Sequence, residues 1–171
     1  MKHTSDEQKN SITLRIPIDE KFKKLWKYYI WQSFLAAVAF LIILLILDKD
    51  KIVIISAMGA TAFVVFAMPN AVSAHSQNVI GGHMVGLILG MIFHFIEIPY
   101  LFEFPLVVGL AIFLMVALDV EHPPAVGTAI AVLINEVSPD ASFNVSFIII
   151  AIAIALSICH YCLKKYLKDL V

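Results

Sequence analysis

Six runs of apolar residues, separated by short polar stretches, most constrain what this chain can fold into. The chain has 171 residues, of which 61% are hydrophobic and 15% are charged. A soluble domain is nearer to roughly 45–50% apolar and about 25% charged, so the surplus belongs in lipid. The sequence therefore predicts an all-α, polytopic transmembrane protein. The runs cover residues 30–47, 52–68, 82–98, 105–118, 124–135 and 145–163.

The lengths of these runs leave two arrangements open. A helix that spans a bilayer needs about 20 residues, within a range of roughly 17–25. The first, second, third and sixth runs meet this length or nearly do, and the fourth is short. At about 1.5 Å per residue, the fifth covers little more than half of a bilayer. The chain could thus form four full spans with two partial ones, or six short spans.

The charged flanks predict the orientation of the chain. Apart from Lys49 and Lys51, the basic residues lie before residue 30 or after residue 161. Cytoplasmic flanks carry such an excess, so we expect both termini in the cytoplasm of a multi-pass inner (plasma) membrane protein. The predicted regions are a polar tail at 1–18, an interfacial amphipathic segment at 19–29, a transmembrane domain at 30–165 and a cytoplasmic tail at 166–171.

A polar, proline-containing cluster at 119–128 interrupts the apolar runs. Ionisable groups inside a membrane protein are costly, and they usually face a cavity or a partner. Pro123 and Pro124 can end one helix and start another, because proline suits the first helical position. The start of a helix presents N–H groups and a partial positive charge, which can hold a small anion. Ala125 and Gly127 would leave that surface bare, so transport is the first hypothesis.

A weak internal sequence repeat extends this hypothesis to a second segment. The residues around Gly59 and Thr61 resemble those around Gly127 and Thr128, and an apolar run followed by a proline turn comes after each. The repeat predicts two three-segment halves with broken or half helices, and such paired segments point to a transporter binding site. Chance similarity among membrane helices rich in small residues is the alternative.

The stretch at 69–83 is rich in polar residues and is predicted to be a loop that closes the site. It contains His75 and Asn78 and ends in Gly81, Gly82 and His83. Its glycines allow the backbone to come close to a ligand or to another helix. Beyond it, glycines recur every four residues at 82, 86 and 90, which permits tight helix packing and could serve a homodimer.

Two other function classes remain open at this stage. A membrane-embedded, metal-dependent enzyme could use His75, His83, Glu121 and His122, but it would need three or more protein ligands close together. A non-catalytic sensor or structural subunit would use the polar loops to contact a partner. We expect neither enzymatic activity nor a cofactor or metal, and we expect no nucleic-acid partner. The C-x-x-C pair, Cys159 and Cys162, is interpreted as small buried hydrophobic residues.

Four blocks of sequence resemble the HPP family of integral membrane proteins. They are G-A-T-A at 59–62, N-V-I-G-G-H at 78–83, H-P-P-A at 122–125 and G-T-A at 127–129. The resemblance covers about residues 28–165. It implies a small polytopic protein, with nitrite transport the function attached to cyanobacterial and plastid relatives.

The sequence thus predicts transport of a small inorganic anion, with nitrite the first candidate. A helix break should lie at 121–124, a helix should begin within two residues of Pro124, and His83 should approach His122 across a shared polar cavity. Glu121 and His75 are predicted to be gating or proton-linked residues. The predicted substrate-binding residues are Gly59, Thr61, Asn78, Gly81, Gly82, His83, His122, Pro123, Pro124, Ala125, Gly127 and Thr128.

Overall fold

The computed structural model describes residues 20–47, 51–134 and 139–171, and the helices in these ranges confirm the all-α prediction. Two short 3-10 turns, Val72–Ala74 and Lys164–Tyr166, accompany the α-helices. The α-helices are α1 (Glu20–Ile46), α2 (Ile52–Ala67), α3 (Ser76–His94), α4 (Tyr100–Ala117), α5 (Pro124–Ile134) and α6 (Pro139–Leu163).

Four of the described helices are long and apolar enough to cross a membrane. They contain the stretches Phe22–Ile46, Ser76–His94, Tyr100–Ala117 and Val145–Tyr166. The other two, α2 and α5, are shorter apolar helices. Of the two arrangements that the sequence leaves open, this one corresponds to four long spans with two shorter helices packed among them.

Helix α1 merges two predicted regions into one element. It begins at Glu20 and has 27 residues, so it is about 40 Å long at about 1.5 Å per residue. The segment at 19–29, predicted to be a separate interfacial element, is thus continuous with the first span from residue 20 onward. Because the hydrocarbon core is only about 30 Å thick, about two turns of this helix must lie outside it.

Helix α3 begins earlier than predicted, and the prediction of a loop over the whole of 69–83 is wrong. The helix starts at Ser76, after His75 in an extended conformation, and the His75 carbonyl accepts a hydrogen bond from the N–H of Val79 at 2.9 Å. Asn78, Gly81 and His83 therefore lie in its first turns. Glycine lowers helix propensity by about 1 kcal/mol, but direct packing of α3 on α5 compensates for that cost.

Helix α5 occupies the centre of the fold, between α2 and α3 and beside α4. A Cβ atom added to Gly86 would meet the carbonyl of Ala125, and one added to Gly90 would lie 2.8 Å from the carbonyl oxygen of Ala129. The glycine face of α3 is thus covered by α5 within the monomer. The prediction that this face could serve a homodimer is wrong.

The C-terminal residues pack against the beginning of α1 and the end of α2. The backbone N–H of Leu170 donates to the carbonyl of Ala67 at 2.9 Å, and the Tyr29 hydroxyl donates to the carbonyl of Leu170 at 2.6 Å. Leu167 and Leu170 are buried. The described part of the C-terminal tail therefore lies at the end of the bundle where α1 begins.

Candidate functional site

Four polar side chains meet in the interior of the bundle. Thr61 comes from α2, His83 from α3, His122 from the segment between α4 and α5, and Thr128 from α5, and all four are fully buried. We call these four residues the histidine–threonine cluster. Buried polar side chains must be hydrogen-bonded to avoid a cost of several kcal/mol, so their partners decide whether such a cluster is tenable.

The cluster forms one continuous hydrogen-bonded chain. The Thr61 Oγ1 atom lies 2.9 Å from His83 Nε2 and 3.1 Å from His122 Nε2. On the far side of His83, Nδ1 lies 2.8 Å from Thr128 Oγ1. On the far side of His122, Nδ1 lies 2.7 Å from the carbonyl oxygen of Ser73. The predicted approach of His83 and His122 is confirmed, with ring centroids 5.0 Å apart. Where a shared polar cavity was predicted between them, the buried Thr61 hydroxyl joins the two rings.

The Ser73 carbonyl fixes the direction of every hydrogen bond in this chain. A carbonyl only accepts, so His122 Nδ1 must carry a proton, and in the neutral ring Nε2 is then an acceptor. When the Thr61 hydroxyl, which also lies 3.0 Å from the Ala57 carbonyl oxygen, points its proton to His122, it accepts from His83 Nε2–H. His83 Nδ1 in turn accepts from the Thr128 hydroxyl. Each ring nitrogen has one partner when both rings are neutral.

His122 lies outside the long apolar helices, and its environment favours the neutral ring. Burial lowers the pKa of its imidazole to about 4, while the hydrogen bond to the Ser73 carbonyl acts in the opposite direction. A histidine with this pKa is uncharged near pH 7. The hydrogen bonds described above are therefore those of the neutral ring.

The glycine pair of α3 makes room for His122. A Cβ atom at Gly82 would lie 2.7 Å from the Cβ of His122 and 3.1 Å from the carbonyl oxygen of Val120, and one at Gly81 would lie 2.7 Å from the Val120 side chain. Any larger residue at these two positions would push the segment at 118–123 away from α3. Gly81 and Gly82 thus position His122 through close backbone packing.

The segment at 118–123 is held at its beginning by the end of α4. Asp119 has a φ of 56°, in the left-handed region. The N–H of Val120 donates to the carbonyl of Met115 at 2.9 Å, and the N–H of Asp119 donates to the carbonyl of Val116 at 3.3 Å. These two bonds are those of a Schellman motif. Asp119 therefore ends α4 and turns the chain toward the cluster.

Two amide side chains from the first turns of α3 hold the carbonyl groups of this segment. Gln77 Nε2 donates to the carbonyl of Asp119 at 3.4 Å, and Asn78 Nδ2 donates to the carbonyl of Glu121 at 3.3 Å. Asn78, a predicted site residue, thus supports the backbone next to His122. Gln77, which directly precedes the block at 78–83, makes the same kind of contact but was not a predicted site residue.

Helix α5 starts where the sequence predicted, but the surface at its start is not the bare one that was predicted. The helix begins at Pro124, as predicted. The N–H of Ala125 already donates to the carbonyl of His122 at 2.9 Å, and the N–H of Val126 donates to that of Pro123 at 3.2 Å. A Cβ atom at Gly127 would lie 3.1 Å from the Cβ of Ala57. The prediction of a bare helix start is wrong, because loop carbonyls and α2 cover it.

Other predicted site residues lie outside the cluster. A Cβ atom at Gly59 would meet the ring of Phe40 on α1, so this glycine faces another helix. His75 is exposed. Glu121 is partly buried and, with His122 and Pro123, lines a groove of about 350 Å³ whose other walls are apolar side chains of α4 and α5. Cys159 and Cys162, expected to be buried, are exposed free cysteines on α6.

One participant could not be found from the sequence. The acceptor for His122 Nδ1 is the backbone carbonyl of Ser73, and a backbone carbonyl leaves no mark in the residue type. Among the residues that the structure describes, no group of three or more His, Cys, Asp or Glu side chains is placed to hold a metal ion.

Comparison with known families agrees with the resemblance in the sequence. The family described as "HPP, transmembrane region" matches residues 22–168, which is most of the chain. The chain belongs to the HPP family. No curated protein and no solved structure matches it.

The blocks that carry the HPP resemblance converge in the structure. The block at 59–62 supplies Thr61, the block at 78–83 supplies His83, and the blocks at 122–125 and 127–129 supply His122 and Thr128. The block at 59–62, the block at 78–83 and the adjacent pair at 122–129 are far apart in the sequence, yet one series of hydrogen bonds joins them. The cluster is therefore the candidate functional site of this HPP protein.

Proposed function

We propose that this HPP protein transports a small inorganic anion across a membrane and that nitrite is the first substrate to test. The observation that carries the proposal is the buried contact of His83 and His122 through Thr61. Ionisable residues in the interior of a membrane protein mark a substrate or ion pathway more often than they serve packing. The family resemblance supplies the anion as the class of substrate.

The groove beside His122 is the proposed route to the cluster. It has a volume of about 350 Å³, with Glu121, His122 and Pro123 at one end and apolar side chains of α4 and α5 along its walls. A small anion in this groove would lie near the start of α5, where the helix dipole favours negative charge. Glu121 at the same end is the proposed gate, since its carboxylate opposes an anion that carries no counter-charge.

The proposed location and orientation follow from the flanking charges. We propose a plasma-membrane protein with both termini in the cytoplasm, because the basic residues concentrate at the two ends of the chain. The contact of Tyr29 with Leu170 supports a common side for the two ends. Labelling of cysteines introduced near each end, in intact and in permeabilised cells, measures their side directly.

Uptake by proteoliposomes tests the function. Purified protein is reconstituted, and the uptake of nitrite, nitrate, formate and chloride is compared with that of protein-free liposomes. We expect nitrite uptake above the protein-free rate. We also expect His122→Gln to slow uptake by about tenfold or more, the change that about 1.4 kcal/mol of lost stabilisation produces.

The matched control is His94→Gln, which makes the same substitution near the other end of α3, away from the cluster. This variant should transport like the wild type. If no anion enters faster than into protein-free liposomes, the proposed function is wrong. If His122→Gln transports normally while remaining folded, the site is wrong.

A further inference from the structure

The Thr61 hydroxyl has one proton and two acceptors within reach. Its Oγ1 atom lies 3.1 Å from His122 Nε2 and 3.0 Å from the carbonyl oxygen of Ala57, one turn earlier on α2. Among the described residues Thr61 is the donor within reach of His122 Nε2, so the neutral cluster is fully hydrogen-bonded when the proton points to that nitrogen. The Ala57 carbonyl then retains only its bond within the helix.

One added proton can be placed in the cluster without leaving any group unpaired. If His122 Nε2 takes up a proton, it becomes a donor to Thr61 Oγ1. The Thr61 hydroxyl then rotates, and its own proton points to the Ala57 carbonyl. The oxygen, with two lone pairs, accepts from His122 Nε2–H and from His83 Nε2–H at the same time. Rotation of one hydroxyl thus separates two fully hydrogen-bonded states.

A second proton is disfavoured by geometry. It would make both rings cationic at a centroid separation of 5.0 Å, and two like charges at that distance in a buried site repel strongly. The cluster therefore has room for zero or one added proton.

A positive charge at the cluster would have to come from an added proton, because the surrounding helices carry no lysine or arginine. Helices α2, α3, α4 and α5 contain no lysine or arginine. The ionisable groups on them are His83, together with His94 at the far end of α3 and Tyr100 and Glu103 at the far end of α4. The adjoining segments contribute Lys51 directly before α2, the exposed His75, Glu97 between α3 and α4, and the acids Asp119 and Glu121.

These observations describe a buried site that can take up one proton. We propose that the histidine–threonine cluster binds one proton together with each anion, so that the protein carries out electroneutral proton–anion symport. The proton adds to His122 Nε2, giving an imidazolium that offsets the anion, and it leaves with the anion on the other side. No bond to the anion forms and no group is oxidised. This inference rests on the proposed function, since it names the ion that accompanies the anion.

The experiment measures protons and anions together. Proteoliposomes that contain a trapped fluorescent pH indicator take up nitrite while potassium and valinomycin set the membrane potential. We expect one proton to enter per nitrite and the rate to be the same at every potential. Protein-free liposomes give the background from diffusion of undissociated nitrous acid, which is subtracted.

Variants of Thr61 test the hydroxyl itself. Thr61→Val keeps the shape of the side chain but removes the rotating hydroxyl, and we expect it to slow proton-linked uptake about tenfold. Thr61→Ser restores the hydroxyl and should restore uptake. Ser56→Ala is the matched control, because Ser56 is an exposed hydroxyl on the same helix that bonds only to the carbonyl one turn earlier.

The outcomes separate the two claims. Nitrite uptake above background that carries no proton, or that follows the membrane potential as a lone anion does, would overturn the inference and leave anion transport standing. Normal coupling in folded Thr61→Val would also overturn it. Absence of uptake for every anion would remove the proposed function and the inference with it. Should Thr61→Val fail to fold, the proton count of the wild type and of Thr61→Ser still decides the matter.

Discussion

At the scale of single residues, the site depends on a hydroxyl and on a backbone carbonyl as much as on the two histidines. Thr61 is the only group that contacts both imidazoles, according to the hydrogen bonds of the described residues. The Ser73 carbonyl sets the tautomer of His122, and through Thr61 it sets that of His83. The Ser73 carbonyl, which can only accept, thus serves as the reference from which donors and acceptors along the series of hydrogen bonds are assigned.

A substitution at Gly127 tests whether this glycine serves helix packing or ligand access. A Cβ atom there would lie 3.1 Å from the Cβ of Ala57, so Gly127→Leu should force α5 away from α2. Overpacking of this kind costs about 1–3 kcal/mol, and we expect less folded protein in detergent, measured by size-exclusion chromatography and thermal unfolding.

Gly109→Leu is the control for this prediction. It makes the same substitution on α4, where a Cβ atom would meet nothing within 4 Å, and it should leave folding unchanged. A Gly127→Leu protein that folds normally but no longer takes up nitrite would instead show that Gly127 keeps a path for the ligand open.

At the scale of helices, the end of α4 and the start of α5 define the segment that carries His122. Helix α4 stops at a Schellman motif around Asp119, and α5 starts at Pro124. Between them, six residues carry His122 into the interior. The start of α5 is thus set inside the bundle, which explains why a helix of 11 residues is sufficient here.

Asp119 tests the importance of this helix end. Its φ of 56° costs about 1–2 kcal/mol for most side chains, less for aspartate, and nothing for glycine. We expect Asp119→Gly to be as stable as the wild type and to transport nitrite normally. Asp119→Val should lower the thermal midpoint in detergent and slow uptake, because it displaces His122. A valine variant as stable as the wild type would contradict this account.

At the scale of the whole molecule, the C-terminal residues join α1 to α2. The side chain of Gln32, buried in α1, donates from Nε2 to the carbonyls of Phe66 and Lys168 and accepts the N–H of Lys168 at 3.0 Å. The side chain of Asn70 donates to Asp169 at 2.6 Å. This end of the bundle is therefore held by polar contacts from three parts of the chain.

Replacement of Gln32 tests how much these polar contacts contribute to stability. Gln32→Leu removes three hydrogen bonds, each with a net contribution of about 1 kcal/mol, among them a buried one to the carbonyl of Phe66. We expect a lower thermal midpoint in detergent and faster proteolysis of the C-terminal residues. Gln77→Leu is the control, since Gln77 is exposed and its bond to Asp119 is long at 3.4 Å. Equal effects of the two substitutions would contradict the proposed role of Gln32.

The fold class, the helix break and the meeting of His83 with His122 could be predicted from the sequence. Apolar runs require helices in lipid, and Pro123 and Pro124 disfavour a continuous helix, so these features depend on local chemistry. The start of α3 could not be predicted in this way. Its polar and glycine-rich residues favour a loop, and only their contacts with α5 and with the segment at 118–123 make them helical.

The details of the site were decided by the tertiary structure. Local sequence marks Gly127, Thr61 and Ala125 as small or polar residues, but it does not say which of them face a neighbour. Packing of α2 on α5 covers Gly127, and the same packing brings Thr61 between two histidines from distant parts of the chain. Sequence determined which groups were available for chemistry. Tertiary packing determined their partners, because hydrogen bonds between distant segments depend on how helices approach each other.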